Sequence, residues 1–360
     1  MRVGIFGGSF NPPHLGHLLA SREAAKDLGL DLLYVVPTGT PPHKRLPDGA
    51  PDAETRLHLT ELLFAQEPGV VVTDLELRRP GPSYTVDTVL AIKRQHPDAA
   101  LYLLMGTDMY DTLAQWHRAE ELGTLMTPYV FHRLFALSST KVRALLAERQ
   151  GADFVGDAVY RDIIAHGYYG AKPDFAWLLE QVAQANPRRA AHTKGTEEAA
   201  IALAARWGVD VAQAREAAIL HDITKGLNRD AQLRLCEKYG MMPDDVEREN
   251  PKLLHAMTGA AVARAAYGVC DAVFDAILCH TTGRAEMTPL DKVLYMADYI
   301  EPSRDFDELP ALRELAYTDL EAAVRYGLEL TDRELREKGV TQHPRSVEAM
   351  EWYQKRGLKI

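Results

Sequence analysis

The chain has 360 residues, 46% of them hydrophobic and 26% charged, with a formal net charge of −10 at pH 7. This length favours two domains over one, and the acidic balance argues against a general DNA- or RNA-binding protein while it leaves nucleotide substrates open. Three cysteines without CxxC spacing indicate neither a disulfide framework nor a zinc–cysteine site. Because the sequence shows no apolar leader and no apolar run of membrane-spanning length, we expect a cytoplasmic protein without a membrane partner.

The first half of the chain alternates between apolar runs and helical patterns. Four short runs rich in branched residues are the predicted strands, at 2–6, 32–36, 70–75 and 100–105. Three helical patterns separate them, near 15–29, 52–66 and 84–95. This order predicts a Rossmann-like α/β domain over residues 1–170, with a parallel sheet and right-handed crossovers. Ligands of such sheets bind at the carboxyl ends of the strands, where the glycine-rich segment after the first run would lie.

The second half of the chain shows one helical pattern after another and no convincing strand. The predicted helices, separated by proline-containing breakers, are 175–185, 196–207, 211–223, 229–239, 253–267, 271–280, 288–300, 308–316 and 318–338. The sequence therefore predicts an all-α domain over residues 175–356. Its boundary with the first domain is expected near 166–174, where glycine, lysine, proline and aspartate interrupt the pattern.

The segment GGSFNPPHLGH leaves the first predicted strand and enters a helix. Gly8 allows the backbone to approach an anion closely, and Ser9 adds a hydroxyl. His14 and His17 fall at the helix start, where the dipole and free N–H groups favour phosphate. Zinc-binding histidines on a helix are usually four residues apart, so a spacing of three suits two donors to one phosphate chain better. The alternative is a helix start with two surface histidines.

Four further fragments of the first half fit phosphate chemistry. Lys44 ends GTPPHK, and SYTVDT offers hydroxyls at a helix start. Asp108 and Trp116 follow the fourth strand in MGTDMYDTLAQW. Arg143 lies on the first turns of a helix that LSSTKVR would cap. Each fragment is a weak signal alone, and the informative feature is their order.

That order resembles the HxGH nucleotidyltransferases, and more closely the nicotinate-nucleotide adenylyltransferases, over about residues 1–169. The resemblance implies adenylyl transfer from ATP to nicotinate mononucleotide with Mg²⁺, giving deamido-NAD and pyrophosphate without a protein nucleophile. It implies that His14 and His17 hold the ATP phosphates, that Lys44, Thr85 and Trp116 face the nicotinate nucleotide, and that Asp108 is on the adenosine side. The full implied set of substrate contacts is Gly8, Ser9, Phe10, Lys44, Thr85, Gly106, Asp108, Trp116, Ser139, Thr140 and Arg143.

The interval 117–137 departs from that family, whose members usually have a longer stretch there with a further strand and substrate contacts. In this chain the interval is short, and EELGTLMTPYVFHRLFAL within it predicts at most one short strand. Two interpretations stay open. The first half is either an adenylyltransferase with a weakened mononucleotide side or a degenerate nucleotide-binding module that regulates the second half.

A second set of histidines lies in the helical half. Asp222 follows His221 at the end of an apolar helical run, where an unpaired buried carboxylate would be costly and needs a cationic partner. Asp298 likewise continues an apolar stripe. The candidate metal ligands are His192, His221, Asp222, His255, His280 and Asp298. Such ligands without thiolate suit Fe, Mn, Zn or Mg, and six of them suit two ions. The alternative is a set of core polar residues paired with lysine or arginine.

The pattern H…HD…H…H…D resembles the HD phosphohydrolases. More closely, HTKG, AAILHDITKGL, ENPKLLHAMTGA, CHTTGR and DKVLYMADYIEPSRDF resemble the HD-domain symmetrical dinucleoside-tetraphosphate hydrolases, from about residue 188 to 352. The resemblance implies hydrolysis of diadenosine tetraphosphate to two ADP with iron, with those six residues as ligands. Asp222 and Lys225 would be catalytic, and Arg284 and Arg304 would contact phosphate. A guanosine tetraphosphate alarmone or a nucleoside monophosphate stays open as the substrate.

The two halves together predict a bifunctional enzyme of the cytoplasm. Its expected partners are ATP, nicotinate mononucleotide and a dinucleoside polyphosphate, with no nucleic acid and no membrane. A homodimer, the identity of the metal and any coupling between the domains are left open by the sequence.

Overall fold

The structure is a computed structural model that describes residues 1–41, 45–131 and 137–355. The chain forms two compact units that divide between Asp174 and Phe175. Lys44, predicted to face the nicotinate nucleotide, lies outside the described residues. None of the helices in the described ranges is long and apolar enough to cross a membrane.

A parallel sheet forms the centre of the N-terminal unit. Its strands are β1 (Arg2–Gly8), β2 (Leu32–Pro37), β3 (Val70–Val72), β4 (Ala100–Gly106) and β5 (Thr127–Phe131), in the order β3-β2-β1-β4-β5. The helices are α1 (Leu15–Leu28), α2 (Ala53–Phe64), α3 (Thr85–Gln95), α4 (Thr107–Tyr110), α5 (Ala119–Leu125), α6 (Ser139–Ala147), α7 (Ala152–Val155) and α8 (Asp157–His166). All neighbouring strands pair in parallel, so the predicted α/β architecture is confirmed.

Alternating side chains of β1 enter two different cores. Val3 and Ile5 pack in the cluster that contains Val89 of α3, whereas Phe6 packs in the cluster that contains Leu18 of α1. Both faces of the sheet are therefore covered by helices, as expected for a central parallel strand. The predicted third strand, 70–75, is too long, because the carbonyl of Asp74 accepts hydrogen bonds from two following amides and begins a turn.

The strand order places the ligand-binding edge of the sheet. The chain moves from β1 outward to β2 and β3, and then returns to β4 on the other side of β1. Such a reversal opens a crevice at the carboxyl ends of the two central strands. Gly8 and Gly106, which end β1 and β4, lie at this crevice.

The C-terminal unit is helical throughout its described residues. Its helices are α9 (Phe175–Ala185), α10 (Ala190–Trp207), α11 (Val211–Leu220), α12 (Arg229–Lys238), α13 (Asp245–Glu249), α14 (Pro251–Tyr267), α15 (Asp271–Cys279), α16 (Pro289–Ile300), α17 (Leu309–Thr318), α18 (Leu320–Glu337) and α19 (Pro344–Lys355). The all-α prediction is confirmed, although α13 and α19 were not predicted. Helix α10 also begins six residues earlier than predicted, because the polar HTKG segment belongs to its first turns.

Candidate active sites

The crevice of the N-terminal unit has two compartments. The first, of about 270 Å³, is lined by Gly8, Ser9, His14, His17, Gly106, Asp108, Ser139, Thr140 and Arg143, among others. The second, of about 510 Å³, is lined by Gly8, Ser9, Thr85, Asp108 and Trp116, among others. The structure therefore brings the predicted substrate contacts together, except that Phe10 lines neither compartment and Lys44 is not described. Gly8, Ser9 and Asp108 lie where the compartments meet.

The two histidines of the first compartment form a stacked pair at the start of α1. Their ring centroids are 3.7 Å apart, and the backbone N–H of His14 donates to Nδ1 of His17 over 3.1 Å. A neutral His17 ring with an accepting Nδ1 has its proton on Nε2 and can donate from there. Phe10, predicted as a substrate contact, is instead 1% exposed and packs its ring 4.9 Å from that of His17. Phe10 therefore packs against His17 and helps to hold that ring in place.

The start of α6 is tied to the loop that precedes α1. Ser139 Oγ donates to the carbonyl of Pro12 over 3.0 Å, and Arg143 Nη1 donates to the carbonyl of Asn11 over 2.6 Å. Ser138 caps the helix by accepting the amide of Lys141. Two helix N-termini therefore border one compartment, and each presents backbone N–H groups suited to an anion.

The second compartment has aromatic walls. The rings of Tyr84 and His117 lie 4.3 Å apart, and Trp116 Nε1 donates to Thr112 Oγ1 over 3.2 Å, which holds the indole in place. Glu76, also in this wall, accepts a hydrogen bond from Thr88, and burial raises the pKa of its carboxyl. These surroundings fit a flat ring with polar substituents better than a second polyphosphate.

Arg56 is a residue of this unit that the sequence interpretation missed. It is 1% exposed, and it donates to the carbonyls of Ser9 at 2.7 Å, Thr38 at 2.8 Å and Gly39 at 3.3 Å. Burial lowers the pKa of its guanidinium. One cation therefore joins the loops that follow β1 and β2. A charged residue one turn before the buried Leu59 is the signal that could have identified it.

We expect Arg56→Met to lower the free energy of unfolding of this unit by about 2–4 kcal/mol, because it leaves buried carbonyls without donors. It should also weaken ligand binding in the crevice, since Ser9 lines both compartments. Urea-dependent hydrogen exchange at the amides of β1 and β2 measures the first effect. Arg22→Met, which removes a half-exposed guanidinium that pairs with Glu67, is the control and should change less. Equal effects of the two variants would contradict the assignment.

All six predicted metal ligands of the helical unit meet in one cluster. His192 lies on α10, His255 on α14 and Asp298 on α16, whereas His221 and Asp222 follow α11 and His280 follows α15. The five residues other than Asp298 are each at most 7% exposed. Side chains from five helical segments therefore point at one buried centre.

Asp222 lies between two pairs of histidines. On the side of Oδ2, the Nε2 atoms of His192 and His221 are 3.2 Å apart and lie 3.6 and 3.3 Å from the carboxylate oxygen. On the side of Oδ1, the Nε2 atoms of His255 and His280 are also 3.2 Å apart and lie 3.1 and 3.6 Å from that oxygen. Each oxygen of one carboxylate thus faces its own histidine pair, so these residues could hold two metal ions.

The opposite nitrogen of each histidine identifies the tautomer. Every Nδ1 lies against an acceptor: Ala218 O for His221 (2.7 Å), Lys252 O for His255 (2.5 Å), Ile277 O for His280 (2.7 Å) and Glu301 Oε1 for His192 (3.0 Å). Carbonyl and carboxylate oxygens only accept, so Nδ1 holds the proton and the lone pair of Nε2 faces the centre. Paired lone pairs beside carboxylates repel one another unless a cation lies among them. The donor set therefore fits metal ions.

The protonation states agree with that chemistry. Burial lowers the pKa of His255 to about 4. Burial alone would raise the pKa of Asp222 and of Asp298, but the neighbouring histidines more than offset it and hold both values well below the usual range. At neutral pH a neutral imidazole thus faces ionised carboxylates, which are the forms that bind metals.

Cationic side chains border the cluster. Lys225 Nζ lies 3.1 Å from Asp222 Oδ2, and Arg304 Nη2 lies 2.7 Å from Asp298 Oδ1. Arg189, which the sequence interpretation missed, also pairs with Asp222. The sequence feature that could have identified Arg189 is the Arg-Arg dipeptide that directly precedes α10. These cations could bind phosphate oxygens beside the metal ligands.

Arg284 pairs with carboxylates other than those of the cluster. Its guanidinium is 2.7 Å from Asp291 and 3.4 Å from Asp275, neither of which is among the six ligands. The prediction that it contacts substrate phosphate is therefore not supported by its position. Two carboxylates already satisfy its charge.

Another group of histidine and carboxylates lies elsewhere in this unit. His343 Nε2 is 3.0 Å from Asp244 and 3.6 Å from Glu247. However, His343 Nδ1 accepts the backbone N–H of Arg345 over 3.1 Å, so the proton of the neutral ring is on Nε2 and faces the carboxylates. This tautomer is the reverse of that in the six-residue cluster, so the lone pair of His343 does not face the carboxylates.

Known proteins resemble each unit. Residues 5–145 match the cytidylyltransferase-like family, and residues 189–303 match the HD domain family. A probable nicotinate-nucleotide adenylyltransferase of Synechococcus sp. (strain JA-3-3Ab) is 40% identical over 41% of this chain and 71% of its own length. The nicotinate-nucleotide adenylyltransferase of Bacillus subtilis (strain 168) is 33% identical over 47% of this chain and 98% of its own. A crystal structure from Clostridium acetobutylicum, described as a predicted HD superfamily hydrolase involved in NAD metabolism, is 30% identical with a TM-score of 0.50, and the match covers 52% of this chain and 100% of that one.

Proposed function

The chain belongs to the nicotinate-nucleotide adenylyltransferase family and also contains an HD domain, and from this premise we propose that it is a bifunctional enzyme. Its N-terminal unit transfers an adenylyl group from ATP to nicotinate mononucleotide. Its helical unit hydrolyses a nucleoside polyphosphate, diadenosine tetraphosphate being the preferred candidate. The observation on which the proposal depends is the pair of separate phosphate sites, one built on helix N-termini and one on clustered metal ligands.

In the first reaction, the phosphate oxygen of nicotinate mononucleotide attacks the α-phosphorus of ATP. The bond from that phosphorus to the bridging oxygen breaks, and pyrophosphate leaves. His14, His17 and the start of α6 bind the triphosphate in the first compartment, while Trp116 stacks on the nicotinate ring in the second. The reacting phosphates then meet beside Gly8 and Ser9, which line both compartments. Positioning and charge stabilisation supply the catalysis, and Mg²⁺ bound with ATP would neutralise part of the phosphate charge.

The short interval 117–137 supports an enzyme over a regulatory remnant. Within it, β5 pairs in register with β4 from Tyr102–Thr127 to Gly106–Phe131 and so completes the sheet. Phe131 lines the first compartment, and Trp116 lines the second. Both compartments are therefore present despite the shorter segment.

A groove of about 580 Å³ beside the cluster supports a nucleotide substrate for the helical unit. Asp298 and Arg304 lie at the cluster end of this groove, and Tyr299 and Phe306 line its wall. Its volume suits a nucleoside, aromatic rings can stack on a base, and Arg304 lies where phosphate would follow. Glutamates on the groove, Glu308 among them, disfavour a second phosphate group there.

In the second reaction, water attacks a central phosphorus of the tetraphosphate, and the central bridging oxygen leaves with the other half, giving two ADP. Divalent ions held by the six ligands would supply Lewis-acid activation of water and of the phosphoryl group. Lys225, Arg189 and Arg304 would bind phosphate oxygens and offset the charge that develops. The choice among Fe, Mn, Zn and Mg and the possibility of a homodimer stay open, and the cytoplasmic location stays a prediction.

A substrate panel with the whole chain tests both activities. We expect pyrophosphate from ATP with nicotinate mononucleotide, and two ADP per diadenosine tetraphosphate. Binding of ATP without pyrophosphate release would favour the regulatory module instead. ATP plus AMP as products, or hydrolysis only of a guanosine tetraphosphate or a nucleoside monophosphate, would overturn the symmetrical tetraphosphatase.

A further inference from the structure

We infer that Glu301 is a positioning residue that makes the two metal positions of the helical unit unequal. The first metal position is defined by His192, His221 and Asp298, and the second by His255 and His280, with Asp222 shared between them. Glu301 makes the first position the tighter of the two. This inference rests on the metal-dependent hydrolase proposed above, but it concerns metal affinity and not the substrate.

The four histidines of the cluster are not held in the same way. Three of them donate Nδ1–H to a backbone carbonyl within their own helical turn. His192 instead donates to Glu301 Oε1, at 3.0 Å and 109 residues away in the chain. An ionised carboxylate is a stronger acceptor than a carbonyl, so it orients the ring more firmly and makes Nε2 a better ligand.

Glu301 is itself held in one orientation. It is 1% exposed, and it accepts the amide of Ser303 at Oε2 over 2.7 Å and the hydroxyl of Ser303 at Oε1 over 2.5 Å. It also lies three residues after Asp298, at the C-terminal end of α16. The end of α16 therefore provides Asp298, one ligand of the first position, and Glu301, which orients His192, another ligand of that position.

Gly195 provides the space that this contact requires. It lies in α10, three residues after His192, and a Cβ at this position would be 2.6 Å from Glu301 Oε2 and 3.1 Å from Pro302 Cδ. Glycine inside a helix reduces helix stability, so its presence here indicates a local need. Any larger residue would push the carboxylate away from His192.

The charges of the ligands point the same way, while Lys225, Arg189 and Arg304 offset part of the negative charge at the first position. The first position has the carboxylate of Asp298 as a ligand and a carboxylate-backed histidine, whereas the second has two histidines backed by carbonyls alone. Asp222 contributes one oxygen to each. A divalent ion is therefore expected to fill the first position before the second.

Titration of the metal-stripped whole chain with Mn²⁺ alone, following free Mn²⁺ by electron paramagnetic resonance, tests the inference. The unchanged chain should bind in two steps of different affinity. Glu301→Gln should weaken the tighter step by about 10- to 100-fold and leave the weaker one in place. In a His280→Ala background, which removes a ligand of the second position, Glu301→Gln should weaken the step that remains.

Glu197→Gln is the matched control. Glu197 is a fully buried carboxylate on α10, the helix that also contains His192. Its partners, however, are Lys194 and Arg215. This control should retain both binding steps. If Glu301→Gln does not fold, as judged by thermal melting without metal, Gly195→Ala keeps the carboxylate and displaces it, and should weaken the same step.

Three results would overturn the inference: unchanged affinities in Glu301→Gln, equal weakening of both steps, or the same loss in Glu197→Gln. If both binding steps are the same in the unchanged chain and in Glu301→Gln, the inference fails but the proposed metal-dependent hydrolase stands. Failure of the unchanged chain to bind Mn²⁺ would instead contradict the hydrolase proposal together with the inference.

Discussion

We expect His17→Ala to lower the rate of pyrophosphate release from ATP and nicotinate mononucleotide by about 100- to 1,000-fold, the effect of removing one donor to developing charge. The ring lines the first compartment at the N-terminus of α1. Its Nδ1 already accepts from the backbone of His14, so Nε2 is the atom that can donate to the triphosphate. Loss of that donor leaves charge on the departing pyrophosphate less stabilised.

The measurement is the initial rate of pyrophosphate release by the whole chain at saturating substrates. His58→Ala is the control, because this α2 histidine has a half-exposed side chain 3.6 Å from Asp162 and does not line either compartment. Hydrolysis by the helical unit in the same preparation serves as an internal reference and should not change. An unaltered transfer rate in His17→Ala would show that the triphosphate binds elsewhere.

The second large effect is expected for Asp222→Asn, which should reduce hydrolysis of diadenosine tetraphosphate by at least about 1,000-fold, equivalent to several kcal/mol of lost metal-based stabilisation. Each oxygen of Asp222 faces a different histidine pair. Asparagine has nearly the same shape but no charge, so the fold should persist while the ligand shared by both metal positions is weakened.

The readouts for this variant are ADP formation and bound metal per chain. Asp275→Asn, which alters a half-exposed carboxylate paired with Arg284, is the matched control and should retain both. Pyrophosphate release by the N-terminal unit should be the same in the unchanged chain, in Asp222→Asn and in Asp275→Asn. Hydrolysis that survives in Asp222→Asn would place the chemistry outside the cluster.

The predictable features of this protein are those with a local physical cause. Strands and helices follow from hydrophobic periodicity within short windows, so the parallel sheet and the all-helical second half could be predicted. The phosphate loop could be recognised because its glycines, serine and histidines are consecutive. The six proposed metal ligands were identified because a charged or polar residue on an apolar helical stripe requires a partner.

The missed residues act through contacts that connect distant parts of the chain. Arg56 meets the carbonyl of Ser9 over a separation of 47 residues, and Glu301 meets His192 over 109. Arg189 reaches Asp222 across 33. Nothing in the local pattern around these residues states which partner they will meet.

By itself, the sequence determined the two fold classes, the location of the phosphate loop and the set of candidate ligands, because these depend on periodicity and on which residue types are adjacent. Only the tertiary structure decided that Arg284 is engaged by Asp291 and Asp275, and that His192 alone among the cluster histidines is backed by a carboxylate. The physical reason is that hydrogen bonds and ion pairs depend on distances of a few ångströms, and packing of whole helices determines those distances.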